Sequence, residues 1–321
     1  MATTTPPMGV PGKVAVSTAL GKRKIDTWGL VLQSLLLFSL VICLGFIIVL
    51  VWTVVSDGYT VFQDRGLDFL TSGLSTNPSL AGVWQGIQGS IFIGLFVIVL
   101  AFPLGIATSV YLEEYAPDNR LTRFVILNIR NLAGVPSVVY GLLGLAVFVE
   151  LLGTDMGSSG GITGGRSLLS GGLTMAILVL PIVIITSSEA IRAVPESLRE
   201  GGYGVGATRW EVTRSLVLPN ALPGILTGTI LALARALGET APLILVGAFF
   251  GNFFVQPNED FVGTLQGTYT ALPVIIFNWV GEAQREFKLE LAPAAILVLL
   301  GITLMFNLLA VILRNRYDKT W

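Results

Sequence analysis

The sequence predicts an all-α membrane protein with about six transmembrane helices. Only 12% of the 321 residues are charged, whereas a soluble domain carries about 25%. Hydrophobic residues make up 53%, and the mean hydropathy is +0.79. The apolar residues also gather into runs of about 20, which is the length that an α-helix needs to cross a bilayer. So few charges cannot cover a globule of this size in water.

The composition excludes several classes of function. The formal net charge is −1, so no basic surface for nucleic acid is expected. The chain has no histidine, which is the commonest metal ligand and the usual general base. Its one cysteine, Cys43, lies in an apolar run, so no disulfide or cysteine metal cluster is available. We therefore expect no metal, no cofactor and no enzymatic activity in this chain.

The first apolar run predicts the first transmembrane helix, at 29–55. Residues 1–28 are polar and end in a basic group at Lys22, Arg23 and Lys24, which predicts a cytoplasmic N-terminal tail. A signal peptide is the alternative. The run of about 27 residues is, however, longer than the roughly 7–15-residue core of a signal peptide, and no clear cleavage site follows.

Five more apolar runs complete the prediction, and each of them contains at least one proline. The predicted helices are 88–112, 125–152, 172–191, 221–250 and 291–313. Pro103, Pro136 and Pro242 mark either kinks or ordinary membrane-helix composition, because neighbouring groups in a membrane protein can satisfy the freed carbonyls.

Basic residues predict the orientation, since they concentrate in cytoplasmic loops. With the N-terminus inside, fourteen of the 19 basic residues fall in inner segments, four in outer segments and Arg235 within a helix. The tail 314–321 and the loop 189–219, here called the central loop, are then cytoplasmic. Residues 56–87 form an extracytoplasmic loop, and 88–313 form the core of the protein.

The central loop has the signals of a helix–turn–helix. Pro195 suits the first turn of a helix, and four glycines within residues 201–206 permit a tight turn. Thr208 and Glu211 then have the spacing of a capping box, in which the two side chains satisfy free backbone donors. A second short helix should stop before Pro219. An ordinary amphipathic connection is the alternative.

The helix 221–250 carries Arg235 and Glu239. An Arg at the bilayer centre costs about 2.5–3.5 kcal/mol on insertion scales, and a spacing of four puts both side chains on one helix face. They form either a structural ion pair or part of an aqueous path, where Arg presents donors suited to an oxyanion. Intramembrane ionisable residues are usually functional, which favours the path.

Two further patterns concern packing. Small residues recur every four positions at Gly224, Gly228, Ala232 and Ala236, and such stripes let membrane helices approach closely. We expect this stripe to pack against another helix or subunit. Residues 251–290 contain Phe253, Phe254, Phe277 and Trp279, either as an interfacial aromatic belt or in a re-entrant segment. The belt is favoured.

The pattern Glu200-Gly201-Gly202-x3-Gly206-x9-Leu216-x-Leu218-Pro219 resembles the "EAA" loop of bacterial ABC-importer permeases. In that family the loop forms coupling helices that sit in a cleft of the ATP-hydrolysing subunit. The resemblance implies that Glu200, Gly206, Leu218 and Pro219 take part in coupling to an ATPase. The glycines at 201 and 202 replace two alanines, which leaves open how far the first short helix extends, since glycine costs about 1 kcal/mol relative to alanine.

A wider resemblance covers about residues 85–321. It rests on the strings GVPSVVYGLLGLAVFV (134–149), AVPESLRE (193–200), GATRW (206–210), LPNALPGILTGTILALARALGETAPL (218–243), LPVIIFNW (272–279) and NLLAVILRNRY (307–317). These strings are similar to the PstA family, one of two kinds of permease subunit in the bacterial phosphate ABC importer. The fold implied is the ABC-importer type I permease fold in the bacterial cell membrane.

The resemblance also implies partners: a PstC-like second permease, two PstB-like ATP-binding subunits and a PstS-like extracytoplasmic phosphate-binding protein. Arg235 would then hold or guide phosphate while Glu239 restrains it electrostatically. Three alternatives stay open: a permease for another oxyanion (sulfate or molybdate), a membrane enzyme acting on lipid, and a passive channel. ATP hydrolysis is expected in a separate subunit, because the chain has no Walker-type sequence.

Overall fold

The computed structural model describes residues 27–153, 161–248 and 261–317, and these residues are helical or irregular, without strands. The predicted all-α class is confirmed. The helices of five or more residues, which we number in chain order, are α1 (Thr27–Arg65), α2 (Trp84–Tyr115), α3 (Arg120–Ala133), α4 (Ser137–Leu151), α5 (Leu168–Arg192), α6 (Glu196–Gly204), α7 (Arg209–Gly238), α8 (Ala241–Leu245), α9 (Phe261–Gln266), α10 (Leu272–Gly281) and α11 (Phe287–Arg316).

Helices α1, α2, α5, α7 and α11 are long and apolar enough to cross a membrane. The predicted helix 125–152 is instead two helices, α3 and α4, whose axes differ by 102°. The break falls at Pro136, which has an extended ψ of 138°. Proline lacks an N–H and disfavours a helical conformation in the residue before it, so Pro136 accounts for the bend. The described chain thus has five crossings, or six if the bent pair is counted as one.

Two other predicted boundaries are wrong. Helix α1 continues to Arg65, so the start of the predicted outer loop 56–87 is helical. This last part of α1 is buried at Gly58 and Val61, and a Cβ at Gly58 would lie 2.9 Å from the backbone of Ala294 in α11. Packing against α11 therefore continues the helix. The predicted helix 221–250 ends early, at Gly238, and the chain resumes as α8 with Pro242 in its first turn.

The core of residues 54–317 centres on α2, α5 and α7. Val97, Val179 and Ala232 are fully buried there in one apolar cluster. The predicted stripe of small residues lies within this packing. A Cβ added at Gly228 would overlap Thr186 of α5, and one at Gly224 would lie 2.8 Å from the Cβ of Ala190. The close approach is confirmed, and the neighbour is α5 of the same chain.

A second cluster surrounds Trp279, which the sequence assigns to an aromatic belt. Trp279 is fully buried, with its ring 6.4 Å from that of Phe69 and 5.6 Å from that of Phe287. Helix α10 has ten residues, too few to cross a bilayer, and one of its faces packs into the core. The belt is therefore wrong for Trp279. Phe277 is 62% exposed, and Phe253 and Phe254 lie outside the described residues.

Candidate functional site: the central loop and the face of Arg235

The first helix of the central loop, α6, begins directly after Pro195 and runs through Gly201 and Gly202 to Gly204. The two glycines therefore do not shorten it. A Cβ at Gly202 would lie 2.8 Å from the side chains of Val212 and Leu216, whereas one at Gly201 would meet open space. The second glycine thus lets α6 lie close to the first turns of α7, which stabilises the helix through packing.

The turn that follows depends on Gly206. Its φ is +85°, in the left-handed region that glycine adopts without a steric penalty. Helix α7 then begins after Thr208, whose hydroxyl accepts from the Glu211 backbone N–H while a Glu211 carboxylate oxygen accepts from the Thr208 N–H at 2.7 Å. The predicted capping box and helix–turn–helix are confirmed.

The predicted stop before Pro219 is wrong, because α7 passes through Pro219 and Pro223 into its membrane-spanning part. A π-helical turn at Thr213–Val217 comes just before Pro219, with only Leu218 between the turn and Pro219. A widened turn of this kind accommodates a residue that cannot donate the regular helical hydrogen bond. The central loop is therefore joined to the span that carries Arg235 by one continuous helix.

The residues of the central loop that the sequence analysis assigns to coupling lie at the protein surface. Glu200, Gly206 and Pro219 are exposed, and Leu218 is half-buried. The sequence analysis missed three apolar side chains on the same tip: Tyr203, Val205 and Trp210 are 45%, 84% and 56% exposed. Large apolar side chains grouped on a polar loop indicate a contact surface for another protein.

Arg199 anchors the loop from beneath. Its guanidinium donates to the Glu114 carboxylate at 3.0 and 3.3 Å and to the carbonyls of Ile191 and Val194 at 2.9 and 2.7 Å. The side chains of Arg199 and Glu114 are only 12% and 5% exposed. A fifth hydrogen bond joins the guanidinium to the Glu196 carboxylate at 3.4 Å. Sequence reasoning missed this group because Glu114 lies 85 positions earlier in the chain.

A neighbouring ion pair joins the same two parts of the molecule. The Nε atom of Arg192, at the end of α5, donates to Glu113 at 2.6 Å. Arg192 is half-exposed, and Glu113 is nearly buried. Consecutive glutamates at the end of α2 therefore hold the last residue of α5 and the first helix of the central loop.

Arg235 and Glu239 form the predicted ion pair, with 3.3 Å between Arg235 Nε and Glu239 Oε1. They do not share a helix face. Glu239 lies one residue beyond the end of α7 with an extended ψ of 125°, so the pair closes the end of the helix. Glu239 is 21% exposed and Arg235 is 47% exposed.

Arg235 belongs to an exposed face of α7 that also contains Thr227, Leu231 and Gly238. The residues are spaced by four, four and three positions, which places them on one side of a helix. Within the described part of the chain, no side chain covers Arg235 enough to bury it. An arginine facing lipid at membrane depth is costly, so this face is suited to another protein or to water.

The helical spans and the exposed loop between α5 and α7 define a class of protein, the membrane-spanning permease subunit of a transporter. The chain belongs to the family described as "Binding-protein-dependent transport system inner membrane component", whose profile matches residues 14–320. It is therefore a multi-pass membrane protein and a permease subunit of a binding-protein-dependent ABC importer. Membership implies a partner permease, ATPase subunits and a binding protein.

Relatives and solved structures agree with this assignment. The chain is 35% identical over 256 residues to the Probable ABC transporter permease protein YqgH of Bacillus subtilis, covering 78% of each chain. It is 31% identical over 278 residues to the Phosphate transport system permease protein PstA 1 of Mycobacterium tuberculosis H37Rv, covering 86% of this chain and 84% of the relative. The predicted similarity to the PstA family is confirmed.

The fold is also that of a solved transporter. A chain in the crystal structure of a bacterial alginate ABC transporter superimposes with a TM-score of 0.62. The match covers 92% of this chain and 99% of that chain at 18% identity. The similarity at this identity concerns the fold alone, and it confirms the predicted ABC-importer permease fold.

Proposed function

We propose that this chain is a permease subunit of an ATP-driven phosphate importer. In this proposal it forms part of the translocation path and couples to an ATPase subunit through the central loop. The observation that carries it is Arg235, half-exposed on an otherwise uncharged face of a membrane-spanning helix. A guanidinium presents a planar fork of donors that matches phosphate oxygens. The PstA relatives support the same substrate.

The proposed path lies along the exposed face of α7. Arg235 is the phosphate-guiding residue, and Glu239 restrains its guanidinium through the 3.3 Å contact. A PstC-like second permease would cover this face, so that the path runs between the two subunits. The carboxylate of Glu239 keeps the local field from holding the anion too tightly, since conduction requires release as well as binding.

The proposed orientation places both termini and the central loop in the cytoplasm, as the fourteen-to-four distribution of basic residues favours. Residues 1–28 and 314–321 are then cytoplasmic tails, and the bacterial cell membrane is the location. A PstS-like protein would deliver phosphate from outside. Two PstB-like subunits would act inside, one of them receiving Glu200, Gly206, Leu218 and Pro219 together with the exposed apolar tip.

Phosphate uptake tests the role of Arg235. We expect Arg235→Gln to reduce labelled-phosphate uptake by about 10- to 100-fold, because a hydrogen bond to a charged group contributes about 1.5–3 kcal/mol. Arg235→Lys keeps the charge without the fork and should retain part of the uptake. Arg285→Gln makes the same chemical change at an exposed position outside the spans and should leave uptake unchanged. Co-purification of the ATPase subunit monitors assembly in every variant.

Normal uptake by Arg235→Gln would show that the Arg235–Glu239 pair is a structural contact and not part of the phosphate path. Loss of assembly together with uptake would make the pair a packing element. Competition separates the substrates: excess unlabelled sulfate or molybdate should leave phosphate uptake unchanged, and strong inhibition by either would favour the other oxyanion permease.

Co-purification also tests the docking surface. Val205 is 84% exposed, so Val205→Glu should not disturb the fold of the chain. A buried charge without a partner is unfavourable at an interface, and we expect this variant to recover much less ATPase subunit. Val262→Glu, at a 55% exposed site far along the chain, is the matched control. Equal recovery in both variants would contradict docking at the tip.

A further inference from the structure

We infer that the buried Arg199–Glu114 pair is a positioning element that transmits movement of the central loop to the span α2. The inference rests on the proposed function and extends it, since it names the residues through which a docked ATPase acts on the path. Arg199 directly precedes Glu200, the first of the proposed coupling residues. Its side chain points the other way, into the protein, where it is 12% exposed.

The geometry makes the joint rigid. One guanidinium donates to the Ile191 carbonyl in α5, to the Val194 carbonyl in the connection between α5 and α6, to Glu114 at the end of α2, and to Glu196 of its own helix. Arginine presents five donors in a fixed plane, so satisfying three elements at once leaves α6 little freedom to move independently. The Arg192–Glu113 contact at 2.6 Å adds a second link between α5 and α2.

The chemistry of the pair also favours a positioning role. Burying two charges is costly, and apolar residues of similar volume often stabilise a protein equally well or better. A charged pair in this place is therefore weakly explained by stability. The pair is better explained as a means of fixing the orientation of α6, because hydrogen bonds are directional and apolar contacts are not.

Helix α2 carries the link onward. Its Glu114 end contacts the central loop, and further along the helix Ile93 and Val97 belong to the same buried cluster as Leu233 and Leu237 of α7. A Cβ at Gly94 would lie 3.4 Å from Leu237. Leu233 and Leu237 flank Arg235 in the sequence. A shift of α6 would therefore be transmitted to the part of α7 that bears Arg235 by two routes, one along α7 itself and one through α2.

The test is the number of phosphate ions transported per ATP hydrolysed. The complete importer, with both permeases, the ATPase subunits and the phosphate-binding protein, is reconstituted in proteoliposomes with Glu114→Gln, Arg199→Gln or both. We expect each single variant to assemble and to hydrolyse ATP but to lower the ratio by between about twofold and 30-fold. The double variant should be no worse than Arg199→Gln, because both changes break one joint.

The matched control is Asp118→Asn. Asp118 pairs with Arg123 at 2.9 Å, and both side chains are more than 70% exposed. This pair has the same chemistry and joins the α2–α3 connection to the first turn of α3, and its loss should leave the ratio unchanged. An unchanged ratio in Glu114→Gln and Arg199→Gln would overturn the inference. So would a loss that only follows the amount of assembled complex.

Amide hydrogen exchange of the assembled complex tests the joint without transport. In Glu114→Gln, exchange should rise together in residues 111–115 and 196–204 and stay unchanged elsewhere. A rise in only one of the two segments would overturn the inference. If the wild-type complex moves no phosphate while Glu114→Gln still raises exchange in both segments, the proposed function is refuted and the joint is retained.

Discussion

The close contact between α5 and α7 predicts how one added methyl group changes the stability of the protein. Gly228 lies in the middle of α7, and a Cβ there would overlap both Cβ and Oγ1 of Thr186. Rotating the threonine removes only the Oγ1 overlap, because its Cβ is attached to the backbone. Gly228→Ala therefore forces α7 away from α5 or distorts one of them.

The expected magnitude follows from two opposing effects. Inserting a methyl group into a well-packed core costs typically about 1–3 kcal/mol. Replacing glycine by alanine inside a helix contributes about 1 kcal/mol in the opposite direction. Since the overlapping atom cannot rotate away, the steric cost lies at the upper end. We expect a net destabilisation of about 2 kcal/mol, which for a chain of 321 residues lowers the unfolding midpoint by about 3 °C.

Thermal unfolding of the purified chain in detergent, followed by near-UV circular dichroism, measures this effect. Gly301→Ala is the matched control, because a Cβ there meets nothing within 4 Å, and it should be as stable as the wild type or slightly more stable. Adding Thr186→Gly to Gly228→Ala removes the overlap and should recover stability, whereas Thr186→Ala should recover little. A Gly228→Ala protein as stable as the wild type would refute the packing argument.

The central loop carries three further predictions, all measured by the same unfolding assay and by co-purification of the ATPase subunit. Thr208→Ala removes the capping box shared with Glu211 and should cost about 0.5–2 kcal/mol; an unchanged midpoint would contradict the cap. Gly206→Ala should cost about 1–2 kcal/mol, because its φ of +85° is unfavourable for other residues, and Gly206→Asn should cost less. Gly201→Ala meets open space and should stabilise α6 by up to about 1 kcal/mol. Gly202→Ala, where the side chains of the facing turn lie 2.8 Å away, should be less stable than Gly201→Ala; the reverse order would contradict the packing of α6.

Sequence reasoning succeeded where the deciding interactions are local. The capping box at Thr208 and Glu211 depends on residues three positions apart, and the turn at Gly206 depends on one dihedral angle. The approximate places of five membrane spans follow from apolar length alone, since a bilayer requires about 20 residues per helix. The spacing of Gly228 and Ala232 is also a local pattern, and it predicted close packing, although it could not identify α5 as the neighbour.

The failures arose where neighbouring helices decide the outcome. A ten-residue apolar helix carrying Trp279 can lie at a membrane surface or fold into the core, and only the surrounding Phe69 and Phe287 rings select the core. Spacing placed Arg235 and Glu239 on one face, whereas the helix ends between them. In the sequence, Pro136 marks either a kink or ordinary membrane-helix composition, and the 102° bend at this position is visible only in three dimensions.

By itself, the sequence determined that this is a helical, multi-span membrane chain with a capped helix–turn–helix between two spans, because hydrophobic length and backbone capping act over a few residues. Tertiary structure alone decided that Arg199 reaches Glu114, 85 positions earlier, and that Arg235 stays half-exposed while Gly228, Ala232 and Ala236 of the same helix are buried. Such pairings depend on which helices lie side by side, and loop closure between distant residues leaves no periodic signal in the chain.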